Sequence, residues 1–158
     1  MRIDAGAVTP VSAQDLVERV MAWPVATVPA EASLLEVAEA LAADEVGALV
    51  VLESHRLAGV ISERDVVAHL ASGADPEHVT AGEAMATDLV TVGPKDSVLE
   101  AGRRMREAGL RHLPVIGEGA VVGMLSVRDV ADVLVQDADT AADVLVLRSG
   151  RQVVVRAE

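Results

Sequence analysis

The chain repeats itself, and this constrains its fold more than any other feature. At an offset of 64 residues, positions 21–70 align with 85–134 without a gap, and about fifteen of the fifty pairs are identical, where this composition gives roughly four or five by chance. The identities include Met21/Met85, Thr27/Thr91, Val28/Val92, Ser33/Ser97, Leu35/Leu99, Glu36/Glu100, Gly59/Gly123, Ser62/Ser126, Arg64/Arg128 and Asp65/Asp129. This is a tandem duplication. A unit of about fifty residues buries too little surface to stand alone. The two copies are therefore expected to pack on each other about a pseudo-two-fold axis and to unfold as one.

Each copy reads as β-α-β-β-α. Short extended segments end at Thr27-Val28 and Thr91-Val92, and Ser33-Leu-Leu-Glu36 and Ser97-Val-Leu-Glu100 are capping boxes that open helices running to about 43 and 108. Apolar runs at 48–52 and 113–116 read as buried strands. The runs at 57–61 and 120–125 are β-rich with glycine at one fixed place, after which Ser62 or Ser126 opens a helix to about 70 or 134. Thr80-Ala-Gly-Glu83 reads as a capping box ahead of the second copy, and Ser12-Ala-Gln-Asp15 as its counterpart ahead of the first. Valine-rich runs on either side of Arg148-Ser-Gly-Arg151 predict a β-hairpin over 143–156. The division expected is an arm and short helix at 1–19, repeats at 20–72 and 83–136, a linker at 73–82 and a hairpin tail at 137–158. The fold class is α/β (α+β), two such units packed through their sheets.

Composition then removes whole classes of function. With 25 acidic against 13 basic residues the net charge is −12, which repels phosphate backbones and anionic lipid, and Trp23 is the sole aromatic, so stacking platforms for bases are lacking. No nucleic-acid or membrane partner is expected. Without cysteine there is no disulfide, thiolate metal site or thiol nucleophile. Uninterrupted apolar runs reach about seven residues, as at 46–52, against the roughly 20 needed to span a bilayer. The first residues carry no apolar signal segment, so a cytoplasmic location is expected.

No familiar active-site pattern occurs. His55, His69, His78 and His112 lack metal-ligand spacing, and no nucleotide-binding glycine loop or nucleophile elbow is present. What recurs is Gly-h-h-Ser-x-Arg-Asp (h, apolar), as Gly59-Val-Ile-Ser-Glu-Arg-Asp65 and Gly123-Met-Leu-Ser-Val-Arg-Asp129. Ser-x-x-Asp at a helix start is a capping box in its own right, and alone that is the better reading of either copy. It also puts a hydroxyl, a guanidinium and a carboxylate at a helix N-terminus. That arrangement suits a phosphorylated ribose, with Asp accepting from vicinal hydroxyls and Arg facing phosphate. Arg111-His-Leu-Pro114 stands where copy one has the neutral Gly47-Ala-Leu-Val50. Together with Arg103, Arg104, Arg106 and Arg128 it makes copy two locally basic and predicts an anion pole there.

These motifs, in order and twice over, resemble the tandem cystathionine-β-synthase (CBS) domain pair, or Bateman module, across residues 20 to about 136. The resemblance implies two clefts between the repeats, each able to hold an adenosine-type ligand. One would use Ser126, Arg128 and Asp129 with Thr27, Val46 and Gly47, and Arg111 and His112 toward phosphates. Its mate would use Ser62, Arg64 and Asp65 with Thr91, Leu110 and Arg111. It further implies a homodimeric regulatory module, not an enzyme, with no catalytic cofactor and no metal, binding AMP, ADP or ATP and signalling to an unidentified effector protein. The competing readings are a structural module with empty clefts, or a sensor of S-adenosylmethionine or NAD(H).

Overall fold

The computed structural model describes residues 11–138 together with 148–149 and 151–152, and in it the two copies fold alike. Copy one runs β1 (Thr27–Pro29), α1 (Leu34–Ala43), β2 (Ala48–Glu53), β3 (Arg56–Ser62) and α2 (Glu63–Ala71). After the short α3 (Ala81–Ala84), copy two runs α4 (Val98–Ala108), β4 (His112–Gly117), β5 (Ala120–Ser126) and α5 (Val127–Ala138). β6 (Arg148–Ser149) and β7 (Arg151–Gln152) pair antiparallel where the sequence predicts a hairpin. The rest of that hairpin, and residues 1–10 of the arm, lie outside the described residues.

The units differ in one strand. In copy one β1 lies parallel to β2, and β2 antiparallel to β3, in a three-stranded sheet. Copy two pairs only β4 with β5, and the expected first strand is reduced to a single parallel bridge, Val92↔Val115. Proline accounts for the loss. In copy one the Val50 N–H donates to the Ala26 carbonyl at 3.0 Å, but the matching residue in copy two is Pro114, which has no N–H to give to the chain at Val90.

Strand alternation assigns the faces. Leu49, Val51 and Ile61 pack beneath α1 and α2 with Leu34, Val37 and Val66, while Leu113, Val115 and Leu125 pack beneath α4 and α5 with Met105 and Val130. The residues between them point the other way: Ala48, Val50, Val60 and Met124 meet in a third apolar layer that joins the two sheets. By the same period of two, His112 and Pro114 fall on this inter-copy face.

The segments ahead of the repeats change places. Val17, which precedes copy one, is 0% exposed within the core of copy two, and its N–H donates to Asp96 O at 2.9 Å. Ala81 and Ala84, which precede copy two, are buried in the core of copy one, where Leu34 N–H donates to Val79 O at 2.9 Å. Each copy is thus completed by the segment in front of the other. Thr80 and Glu83 form the expected capping box at α3. Ser12 and Asp15 do not open a helix: the Asp15 carboxylate accepts from the Ser12 amide across a turn, and only one 3-10 turn, Val17–Arg19, follows without a side-chain cap. The box at Ser97 is half made, because the Glu100 carboxylate accepts from Arg104 Nε instead of reaching back to Ser97.

Candidate functional site

Both closing motifs form at the junction between the copies. Ser62 leads into α2 and Ser126 into α5, and the first N–H of each helix is held by the pre-strand residue of its own copy: Glu63 N–H donates to Gly47 O at 3.1 Å and Val127 N–H to Arg111 O at 2.7 Å. The capping reading of Ser-x-x-Asp is realised at both. Asp129 Oδ2 accepts from the Ser126 amide and hydroxyl, each at 2.7 Å, and Ser126 Oγ accepts from the Asp129 N–H at 3.2 Å. Asp65 Oδ2 accepts from the Ser62 amide at 2.7 Å and hydroxyl at 2.6 Å. In each case the second carboxylate oxygen makes no hydrogen bond among the described residues.

Those carboxylates also border clefts. A cleft of about 840 Å³ is lined by Val46 and Gly47 of copy one and by Arg111, His112, Ser126, Arg128 and Asp129 of copy two. A second, of about 250 Å³, is lined by Ser62, Arg64 and Asp65 of copy one and by Leu110, Arg111 and His112 of copy two. Arg111 and His112 border both. Thr27 and Thr91 border neither. The chain meets the large cleft at Ala22, Pro24, Val25 and Ala26, where Ala22 bridges to Met124 of β5, and by Thr27 it is already inside the sheet beside Val50. In the small cleft Leu89 and Val90 play that part.

Of the expected basic half, only Arg111 and Arg128 reach the large cleft. Arg104 is held by Glu100, by Asp96 Oδ2 at 3.0 Å and by the Thr91 carbonyl at 3.1 Å, and Arg103, Arg104 and Arg106 line neither cavity. Asp44, Glu45 and Glu63 also line the large cleft, although in the sequence they look like solvated helix-end acids. Their asymmetry was the available signal, since copy two has Ala108, Gly109 and Val127 in their places.

His112 packs against copy one: its Nε2 lies 2.7 Å from where a side chain on Gly47 would begin. Burial, with Arg111 beside it, pushes the imidazole below its ordinary value of 6.5, Arg128 adding to the shift while Glu63 and Asp129 oppose it. The unfolded chain therefore binds this proton more readily than the folded one. Stability is expected to fall as pH drops below about 6.5, levelling off below the folded pKa, and His112→Gln should flatten this part of the profile in thermal melts between about pH 5 and pH 7.5.

Among the described residues, no three His, Asp or Glu side chains cluster to hold a metal ion, and no helix is long and apolar enough to cross a membrane. Comparison with known proteins agrees with the repeat. The CBS domain family matches residues 17–72 and 81–136. The mitochondrial CBS domain-containing protein CBSX3 of Arabidopsis thaliana is 37% identical over 98 residues, 58% of this chain and 48% of its own, so the chain spans about half of that relative. The crystal structure of Hypoxic Response Protein I, which coordinates two zinc ions, is 31% identical with a TM-score of 0.65, covering 75% of this chain and 98% of its own. The CBS domain pair of protein MJ0100, solved with 5′-methylthioadenosine and S-adenosyl-L-methionine, shares the fold at a TM-score of 0.73 and 22% identity, covering 81% and 99%. The chain belongs to the CBS domain family and carries its domains as a tandem pair.

Proposed function

We propose that this CBS pair is a regulatory module that senses an adenosine-bearing ligand, nucleotide or adenosyl compound, in its large cleft and passes the bound state to an effector protein. One observation carries the reading: the N-terminus of α5 presents Ser126, Arg128 and Asp129 to the same cavity as Arg111 and the backbone of Gly47. The free oxygen of Asp129 can accept from ribose hydroxyls, Arg111 and Arg128 can face a phosphate, and Val25, Ala26, Val46 and Met124 offer an apolar wall for the base. That the MJ0100 pair holds two adenosyl compounds on this fold supports the ligand class. Regulation is favoured over catalysis because the Ser126 hydroxyl is engaged in capping, donating to Asp129 Oδ2 and accepting from the Asp129 N–H.

Asp129→Asn separates ligand binding from capping. The Asn carbonyl can still accept from Ser126, so the cap survives, but the other oxygen becomes an amide that cannot accept from a ribose hydroxyl. Adenosine affinity is expected to fall by about 1.5–3 kcal/mol, the range for hydrogen bonds to a charged group, with stability changed by at most about 1 kcal/mol. Calorimetric titration of both proteins measures this. Unchanged affinity would favour the structural module, in which the motif only caps.

We further propose a homodimer formed through helix faces, supported by the exposed Val67 and Leu70 of α2 and Val135 of α5, which are 63%, 45% and 57% exposed. Light scattering is expected to give twice the 16.4 kDa chain mass.

A further inference from the structure

The large cleft carries charges that the fold itself does not require. Four carboxylates, Asp44, Glu45, Glu63 and Asp129, line it against two guanidinium groups, Arg111 and Arg128. The duplication supplies an internal control. At the positions of Asp44, Glu45 and Glu63 the second copy builds the same helix end and helix start with Ala108, Gly109 and Val127, so no acid is needed there for folding. The small cleft is balanced, with Arg64 and Arg111 against Asp65 and Asp88.

Backbone dipoles reinforce the difference. α1 ends at the large cleft with Leu41 and Ala42 in its wall, no basic residue in its last turn, and Asp44 as its C-cap. The carbonyl end of the helix and two carboxylates therefore add at one place. α4, its counterpart, has Arg106 in its last turn and ends on Gly109. The cleft has an anion-accepting side at α5, Arg111 and Arg128, and a cation-accepting side at the end of α1, and with Glu63 and Asp129 its four carboxylates outnumber the two guanidinium groups. The net charge of −12 on the whole chain acts in the same direction.

Resting on the reading above that the large cleft holds an adenosine moiety, we propose that this cleft selects its ligand by charge: it takes an adenosyl compound whose 5′ substituent is neutral or cationic and disfavours polyphosphates. Arg111 and Arg128 then serve as partners for a carboxylate within such a substituent, and Asp44, Glu45 and Glu63 act as the filter. Burial also shifts His112 away from its charged form, which acts in the same direction.

The test titrates the full chain by calorimetry with S-adenosylmethionine, adenosine, AMP and ATP in magnesium-free buffer at low and at high salt. The affinity order expected is S-adenosylmethionine and adenosine above AMP, and AMP above ATP, with at least about tenfold between adenosine and ATP at low salt and a smaller gap at high salt. Asp44→Asn/Glu45→Gln/Glu63→Gln should raise ATP affinity about tenfold while changing adenosine affinity little. The inference is overturned if ATP binds the wild-type protein as tightly as adenosine, or if the triple variant leaves the ratio of the two unchanged. Failure of all four compounds to bind would instead overturn the underlying adenosine reading.

Discussion

Val17→Asp is expected to remove the fold of both repeats in one step, although the substitution lies outside the duplicated span. Val17 is fully buried among Val92, Val98, Leu113 and Leu125 of copy two, and among the described residues no charged side chain is buried to pair with a carboxylate there. Burying an unpaired acid there, or expelling the segment to avoid it, costs about 4 kcal/mol or more, a large share of the roughly 5–15 kcal/mol that holds a domain of this size. The loss spreads because the sheets share one apolar layer and because α3 lies in the core of copy one. Urea unfolding followed by Trp23 fluorescence and by circular dichroism should give coincident transitions in the wild type and a collapsed midpoint in the variant. Two separated transitions, one of them unaffected, would show that the repeats are independent.

Gly59→Ala should cost about 2–3 kcal/mol, while Gly123→Ala, its partner in the duplication, should cost about 1 kcal/mol or less. A Cβ on Gly59 would meet the Ala86 carbonyl oxygen at 2.6 Å, where the backbone is pinned by reciprocal bonds between Val60 and Ala86 at 2.9 and 3.0 Å. On Gly123 the three nearest atoms all belong to the Met21 side chain, whose flexible thioether end can swing aside where a backbone carbonyl cannot. Thermal melts of the two variants under one condition measure the difference. Equal losses would mean that methionine is as confined as backbone.

These contrasts show which parts of the molecule a sequence discloses. Capping at Ser33, Ser62 and Thr80 is legible because the interacting groups are three residues apart and need no tertiary context. The facing of β2 and β4 follows from a period of two. Pro114 was visible too, but its effect depends on which carbonyl it faces, and that is set by a strand more than twenty residues earlier. The exchange of leading segments was hidden for the opposite reason: nothing in Leu16-Val17 says that its nearest repeat in sequence is not the one it completes. In the cleft, residues of the helix-start motif came together because they are local to α5. Thr27 and Thr91 line neither cleft, and Thr27 is already paired beside Val50 in the sheet, a register that the local sequence does not set. Arg104 reads in the sequence as part of a basic face, but Glu100, Asp96 and the Thr91 carbonyl hold it.

The exchange of leading segments also bears on how such a chain arises. A gene encoding one leading segment and one repeat makes a product that can complete its core only with a second molecule, so its folded form is a pair of identical chains whose population depends on concentration. Fusing two such genes end to end makes that pairing intramolecular and independent of dilution. It also releases the halves from identity. In a pair of identical chains an Arg-His dipeptide at this position would appear twice, and the imidazole would then face an arginine where it now lies against Gly47. Only after fusion could one half keep Gly47-Ala48 while the other acquired Arg111-His112.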